Sequence, residues 1–402
     1  MLVVAILCTH AFFLWSVRGR IERADPDFTA YYTAGKILRE QEGPLLYDRR
    51  SQSEVQSRFA TDSDIRSGPL SYIHPPFEAP IFIPFTYFGY GQAFVLWDCL
   101  GLAILFLILL MLRGIIGVLG RFALWQLVAL SLAFFPVLAN FHQGQDAILL
   151  LLVITLSFRA LEQGSMFGAG CWLGAGLFRF QLTLPLFLIL AIWKGRKFVA
   201  GFAFVAFMEF LISLALVGIT GLERYPFFVW NVVSHPALGG LPSHRSPNLV
   251  GLLAGWSFPA KINWIIQSTV LLISVILLIW VASLKPDIRE RQAFRLSLSG
   301  AIIVALLTGY VTNTYDLCLL IIPLALVADY LASDTPFTGD LPLRQILPPV
   351  FLCVSPVWFF LWMRWEKLNL VAIFLLWWLF EIRTEIKRAS SARQSRPQLA
   401  LS

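Results

Sequence analysis

Long apolar runs alternate with short polar connections along nearly the whole chain. The runs cover residues 2–17, 81–112, 122–138, 147–158, 168–193, 199–219, 264–284, 296–308, 317–331, 346–363 and 370–380. A helix needs about 20 residues to cross the hydrocarbon core of a bilayer. Several runs are shorter, so some passes are predicted to be broken or re-entrant. The pattern predicts an all-α polytopic membrane protein, one domain over residues 1–402, with roughly 10–12 passes. One stretch breaks the rhythm. Residues 18–78 form a long polar loop with two predicted surface helices, 28–39 and 48–59. The first carries apolar or aromatic residues at 28, 31, 32, 37 and 38, which suits a helix lying at the interface with Tyr31 and Tyr32 as anchors. Gly43-Pro44 ends it, and Gly68-Pro69 and Pro75-Pro76 force an extended return to the membrane.

Composition agrees with this reading. The chain is 58% hydrophobic and only 14% charged, where soluble proteins carry about 25%. Its net charge of +7 comes from cations clustered at the ends of apolar runs, which reads as topology and not as a nucleic-acid surface. The five cysteines lie in or beside apolar runs with no CxxC spacing, which argues against a disulfide framework and a zinc site. Residues 2–17 lack a basic leader and a cleavage signal, so they are expected to be a retained span. The basic connections 113–121, 194–197 and 285–295 and the basic tail 383–402 are assigned to the cytoplasm. This requires 168–193 to turn back near Arg179-Phe180-Gln181. It places 24–78, 140–146, 221–247, 311–316 and 364–369 outside. Arg18 and Arg20 point the other way and are outvoted by the shorter loops. Basic inner loops fit the plasma (inner) membrane of a bacterium with anionic lipids.

The unusual polar residues fall on the outward side. Asp27 is either the N-cap of the first surface helix or a general base. Asp25, tied to Pro26, is its rival. His74 is a loop histidine beside a rigid turn, or a donor to phosphate or sugar. Glu78 reads as a helix-start charge. His142, Gln143, Gln145 and Asp146 form a dense set of hydroxyl-binding groups at a membrane entry, although Asp146 also suits an N-cap. Arg179, beside Gln181, lies deep in an apolar run and is a functional candidate on energetic grounds. A phosphate is its natural partner. Tyr315 and Asp316 open another span, and Asn248, Trp230, Asn231 and His235 are weaker candidates for an acceptor surface. No Walker, GxGxxG, HExxH or GxSxG motif is present, which leaves nucleotide-driven chemistry unsupported.

At these residues the chain resembles the family 87 glycosyltransferases. DFTAYYTAGKILREQEGPLLYD (27–48) is similar to their first-loop signature. YIHPPFEAPIFIPF (72–85), GQDAILLLL (144–152), AGCWLGAGLFRFQLTLPL (169–186) and TYDLCLLIIPLAL (314–326) follow in the family's order. The resemblance implies a GT-C-like helical bundle with its site on the extracytoplasmic face. It implies inverting transfer of a sugar, mannose by precedent, from a polyprenyl-phosphate donor to a lipid or glycan acceptor. Asp27 would be the base, and Arg179, with His74, would hold the donor phosphate. Tyr31, Tyr32, His142, Gln145, Asp146, Gln181, Asn248, Tyr315 and Asp316 would contact substrate. A lipid phosphomonoester leaving group makes no metal obligatory, so no metal or other cofactor is expected and no nucleic-acid partner. Many family members carry a histidine where this chain has Val311. Two rival readings are a transporter or flippase of lipid-linked sugars and a non-catalytic partner in envelope polysaccharide assembly.

Overall fold

The computed structural model describes residues 1–60, 69–235, 243–254, 260–286, 290–334 and 343–394. The turn expected at Gly68 and the end of the basic tail, residues 395–402, lie outside them. Among the described residues all regular structure is helical, as the apolar pattern predicts. The principal helices are α1 (Leu2–Ser16), α2 (Phe28–Arg39), α3 (Arg49–Ser57), α4 (Tyr90–Ile115), α5 (Leu124–Ala133), α6 (Phe135–Gln143), α7 (Ala147–Glu162), α8 (Met166–Gly174), α9 (Phe180–Lys194), α10 (Arg196–Ser234), α11 (Leu249–Ala254), α12 (Ala260–Ala282), α13 (Arg291–Thr308), α14 (Ile321–Asp334), α15 (Leu343–Cys353) and α16 (Val371–Gln394).

Five helical segments are long and apolar enough to cross a membrane: Tyr90–Ile115, Leu177–Lys194, Arg196–Ser234, Trp264–Ala282 and Tyr315–Ala332. The pair α5 and α6, bent by 75°, adds a sixth if it counts as one span. Several of the other expected passes are shorter or interrupted. Residues 76–87 show why: Pro80 and Pro84 remove backbone donors, and the stretch winds as a 3-10 helix, Pro76–Tyr87, where an α-helical start was expected. The expected break in 168–193 is present, at residues 175–179 between α8 and α9. The connection expected from residue 221 onward is instead helical as far as Ser234.

The chain divides into two compact units. The first comprises Met1–Ile108, Pro136–Phe180 and Lys197–Pro242, and the second Leu109–Phe135, Gln181–Arg196 and Ser243–Ser402. In the first, the polar loop is no loose surface element. Phe28, Tyr31, Tyr32, Ala34 and Ile37 of α2 are all buried, with α2 packed along the 3-10 helix. Phe28 is ringed by Tyr32, Phe82, Tyr90, Phe94 and Trp97 at 5.7–6.4 Å between centroids. Tyr31 and Tyr32 therefore belong to a core, which corrects their reading as interfacial anchors. Asp48 caps α3, accepting from the Ser51 N–H at 2.8 Å. Buried Gln52 ties α3 down by donating to the Leu46 carbonyl and accepting from the Tyr72 N–H.

In the second unit, α13 is buried along nearly its whole length and packs against α12, α14 and α16. Arg295, placed by sequence in a basic connection, sits in this helix. It donates to Asp329 Oδ2 at 2.8 Å and to the Ile115 carbonyl at 2.7 Å, while Asp329 Oδ1 accepts from the Val118 N–H.

Candidate active site

Three pieces of the first unit converge: the start of α2, the return segment 72–78, and the turn between α6 and α7. Gly144 makes that turn at φ 60°, a left-handed conformation that favours glycine. Its carbonyl accepts from Trp97 Nε1 at 3.0 Å. The turn presents Gln145 and Asp146 side by side toward α2, and the break before α9 brings Arg179 to the same place.

Asp146 is fully buried and makes no side-chain cap, so its sequence reading as an N-cap is not what the side chain does. It accepts instead from Arg179 Nε at 2.7 Å and from Arg179 Nη2, and its Oδ1 lies 3.2 Å from the Tyr31 hydroxyl. Arg179 Nη2 also donates to Gln145 Oε1 and lies 3.3 Å from the Tyr31 hydroxyl. The Tyr31 hydroxyl donates to Gln145 Oε1 at 2.7 Å. Gln145 Nε2 then donates to Asp27 Oδ2 at 2.7 Å. The two ends of this amide are thereby distinguished: oxygen toward the arginine, nitrogen toward the aspartate.

Asp27 precedes α2 but makes no side-chain cap either. Its backbone N–H donates to Gln143 Oε1 at 3.2 Å, and its carboxylate remains partly exposed. Asp25 faces Arg20, with Nε–Oδ2 at 3.8 Å.

His74 Nε2 lies 3.1 Å from the Tyr31 hydroxyl, and Nδ1 lies 2.9 Å from Glu78 Oε2 and 3.7 Å from Asp146 Oδ2. Burial pulls the imidazole down to about 3; Asp146 opposes this and Arg179 adds to it. Burial alone would raise Asp146, but Arg179 foremost, then His74 and hydrogen bonds from Glu78 and Arg179, hold it at about 2. Glu78 is pushed well above the usual carboxylate range, first by burial and then by the charge of Asp146. The nearness of the Asp146 side chain adds to this rise. With Glu78 and His74 neutral, the Arg179 and Asp146 charges cancel, which is how such a cluster tolerates burial. Oε1 of Glu78 and Oδ2 of Asp146 are buried and accept no hydrogen bond among the described residues.

The donor atoms of His74, Glu78 and Asp146 lie within 4.8 Å of one another. One imidazole and two carboxylates are ligands zinc or manganese accepts. The Arg179 guanidinium on Asp146 supplies a compensating charge to that carboxylate.

The structure thus brings together Asp27, Tyr31, His74, Gln145, Asp146 and Arg179. It does not bring Tyr32, whose hydroxyl donates to the Phe88 carbonyl at 2.8 Å. His142 is buried and stacks on Phe13 at 5.1 Å. Gln181, Asn248, Tyr315 and Asp316 belong to the second unit. There Asn248 caps α11, accepting from the Gly251 N–H, and donates to the Gly309 carbonyl. Asp316 is buried and reaches back to the Asn313 N–H at 2.7 Å, and the Tyr315 hydroxyl accepts from Asn313 Nδ2 at 2.6 Å.

Glu78, read from sequence as a helix-start charge, is a central member of the cluster, and Tyr72 supports it at 3.3 Å. Two acids in apolar runs escaped the sequence reading. Asp98 of α4 lines a small cavity with Asn140 and Gln145, and Glu209 lies buried in α10. The rule that singled out Arg179, a charge within a span, would have found both.

These features define a class: an all-helical, multi-pass membrane protein with a buried arginine–carboxylate network behind a partly exposed aspartate. Its family follows from the sequence profile of glycosyltransferase family 87, which matches residues 72–309. The chain belongs to that family and is a glycosyltransferase. The matched region includes His74, Glu78, Gln145, Asp146 and Arg179, while Asp27 and Tyr31 precede it. No curated protein and no solved structure matches the chain.

Proposed function

We propose that this glycosyltransferase moves a sugar, mannose in the first instance, from a polyprenyl-phosphate donor to a lipid or glycan acceptor. The reaction takes place on the extracytoplasmic face of a bacterial plasma membrane. The observation that carries the reading is the bond from Gln145 to Asp27, which joins a partly exposed carboxylate to a buried guanidinium through one amide. Asp27 takes the proton of an acceptor hydroxyl. The hydroxyl oxygen attacks the anomeric carbon, the bond from that carbon to the phosphate oxygen breaks on the opposite face, and the configuration inverts. The polyprenyl phosphate leaves as an anion, and Arg179 is the buried cation nearest this chemistry. Its Nε and Nη2 are engaged by Asp146, Gln145 and Tyr31, so in this conformation its charge acts on the donor through Gln145 and Tyr31. A base in hydrogen-bond reach of its proton contributes about 10²–10⁴-fold.

The test is transfer from radiolabelled polyprenyl-phosphate mannose to endogenous lipid acceptors. Membranes carrying the wild type are compared with membranes carrying Asp27→Asn, at equal insertion. Transfer by the wild type and at least about a hundredfold loss in the variant is the expected result. Equal transfer by both would remove Asp27 as the base. No transfer by the wild type from mannose or from a panel of other lipid-linked sugars would remove the donor class.

A further inference from the structure

Helix α10 is not one rod. Gly218 sits at φ 66, ψ −179, a conformation essentially reserved for glycine, and divides it. Residues 196–217 alone reach about 33 Å at 1.5 Å per residue, enough to cross a hydrocarbon core of about 30 Å. Residues 219–234 form a second helix that a crossing of that length does not need.

That helix carries a stripe at three- and four-residue spacing: Thr220, Glu223, Arg224, Phe227, Phe228 and Asn231. Together with Tyr47 of the first loop, the stripe lines an open depression of about 490 Å³. An acid, a guanidinium and an amide do not suit contact with hydrocarbon. Phe227 is 79% exposed, so the stripe is not a core face. Glu223 beside Arg224 offsets the charge that a phosphate site needs. A neutral polyhydroxylated ligand fits all of these. Hydroxyls both donate and accept, so carboxylate, guanidinium and carboxamide can bind them together. The rings of Phe227 and Phe228 offer flat apolar faces to the C–H side of a sugar, over the buried Tyr47 at the base. The volume is within the usual range of about 300–1,000 Å³ for small-molecule sites.

The depression also shares a wall with the buried cluster. Tyr47 packs on Tyr225 at 4.9 Å and on Phe228 at 5.7 Å. Its hydroxyl donates to the His74 carbonyl at 2.7 Å, on the segment whose imidazole meets Tyr31. Resting on the glycosyltransferase reading above, we propose that the depression between Tyr47 and the Thr220–Asn231 face of α10 is the acceptor subsite, taking a neutral glycosyl unit on either a lipid or a free glycan.

The experiment uses the purified full chain with polyprenyl-phosphate mannose as donor. Two acceptors are compared, octyl α-mannopyranoside for a lipid-borne sugar and α-1,6-mannobiose for a free glycan. Phe227→Ala and Asn231→Ala replace residues on an open face, and thermal melting checks that both variants fold. The expected result is an acceptor KM raised about tenfold, equivalent to about 1.4 kcal/mol, with the donor KM unchanged. A rise for the octyl mannoside alone assigns the subsite to lipid acceptors, and a rise for both assigns it to the sugar itself. An unchanged acceptor KM, or equal changes in both KM values, overturns the proposal. If the wild type transfers nothing, the donor reading has failed, and the subsite is judged by direct binding of mannobiose followed through intrinsic tryptophan fluorescence, with Trp230→Phe showing which part of the signal comes from the helix beside the depression. Saturable quenching that Phe227→Ala abolishes upholds the subsite. No saturable change in the wild type overturns it.

Discussion

Gln145 donates its amide N–H to Asp27 Oδ2 at 2.7 Å, while its amide oxygen accepts from Arg179. The carboxylate proposed as base is thereby aimed by a side chain that is itself anchored on a buried charge. Replacing Gln145 by Ala frees Asp27 to rotate, and transfer is expected to fall about 10–100-fold in kcat. Gln145→Glu satisfies Arg179 but sets a second negative charge against Asp27, so it is expected to be worse than Ala. An alanine variant with unchanged kcat would show that Asp27 is positioned by other contacts.

Arg179 and Asp146 form a pair with 2% and 0% side-chain exposure. Removing the guanidinium leaves a buried carboxylate without its counter-charge, a loss of about 3–5 kcal/mol. Arg179→Ala is therefore expected to lower the melting temperature sharply or prevent folding. The double variant Arg179→Met, Asp146→Leu removes both charges and is expected to recover most of the stability without recovering transfer. Arg179→Lys keeps a charge but loses the planar fork that serves Asp146 and Gln145 at once, so it should fold and transfer poorly. A double variant no more stable than Arg179→Ala would contradict the pairing argument.

How far the sequence foretold this site depends on the residue. The helical class was legible from the length and spacing of apolar runs, and Arg179 from its placement within one. Asp27, Gln145 and Asp146 were legible as polar groups at membrane entries, although the sequence offered capping as a competing reading for both acids. Glu78 was not recognised, because a carboxylate at a helix start looks the same whether it meets solvent or another acid. Tyr31 and Tyr32 were indistinguishable because neighbouring positions on a helix differ by about 100°. Only Tyr31 turns to the network, and Tyr32 donates to the Phe88 carbonyl. The helix after Gly218 was read as a connection because the apolar run ends at residue 219, whereas packing of Tyr225 and Phe228 on Tyr47 holds the polar continuation in a helix.

The buried titratable groups predict a pH signature. Glu78 is raised well above its ordinary value of about 4.5 in the folded protein, by burial first and the Asp146 charge second, so the folded state retains a proton that the unfolded chain loses. Its contribution to stability is present below pH 4.5 and is lost as pH rises toward the folded value. His74 is lowered to about 3, so its contribution is present above pH 6.5 and is lost as pH falls toward 3. The two slopes oppose each other between pH 4.5 and 6.5, and above 6.5 only Glu78 remains of the pair. Each is worth up to about 1.4 kcal/mol per pH unit. Glu78→Gln keeps the side chain's size and removes the titration. Its melting temperature is expected to fall less than that of the wild type as pH rises above 4.5. Parallel curves would mean that Glu78 ionises in the folded state as it does in water.

Gly144 holds the turn that sets Gln145 and Asp146 in place. At φ 60° it is in the left-handed region, which costs a residue with a Cβ about 1–2 kcal/mol. Space is short as well. A Cβ there would stand 2.8 Å from Phe28 Cβ and 2.8 Å from Phe94 Cε2, and both rings are packed in the aromatic core, where they cannot yield cheaply. Gly144→Ala is therefore expected to destabilise the protein by about 2–4 kcal/mol, the turn strain and the overpacking together. Any shift of Phe28 also moves its neighbour Asp27 relative to Gln145, so protein that does fold should lose transfer beyond what its folded fraction explains. Phe94→Leu relieves the steric part and not the backbone part. Combined with Gly144→Ala, it should recover part of the melting temperature. Failure of that partial rescue would place the whole effect on the backbone conformation of the turn.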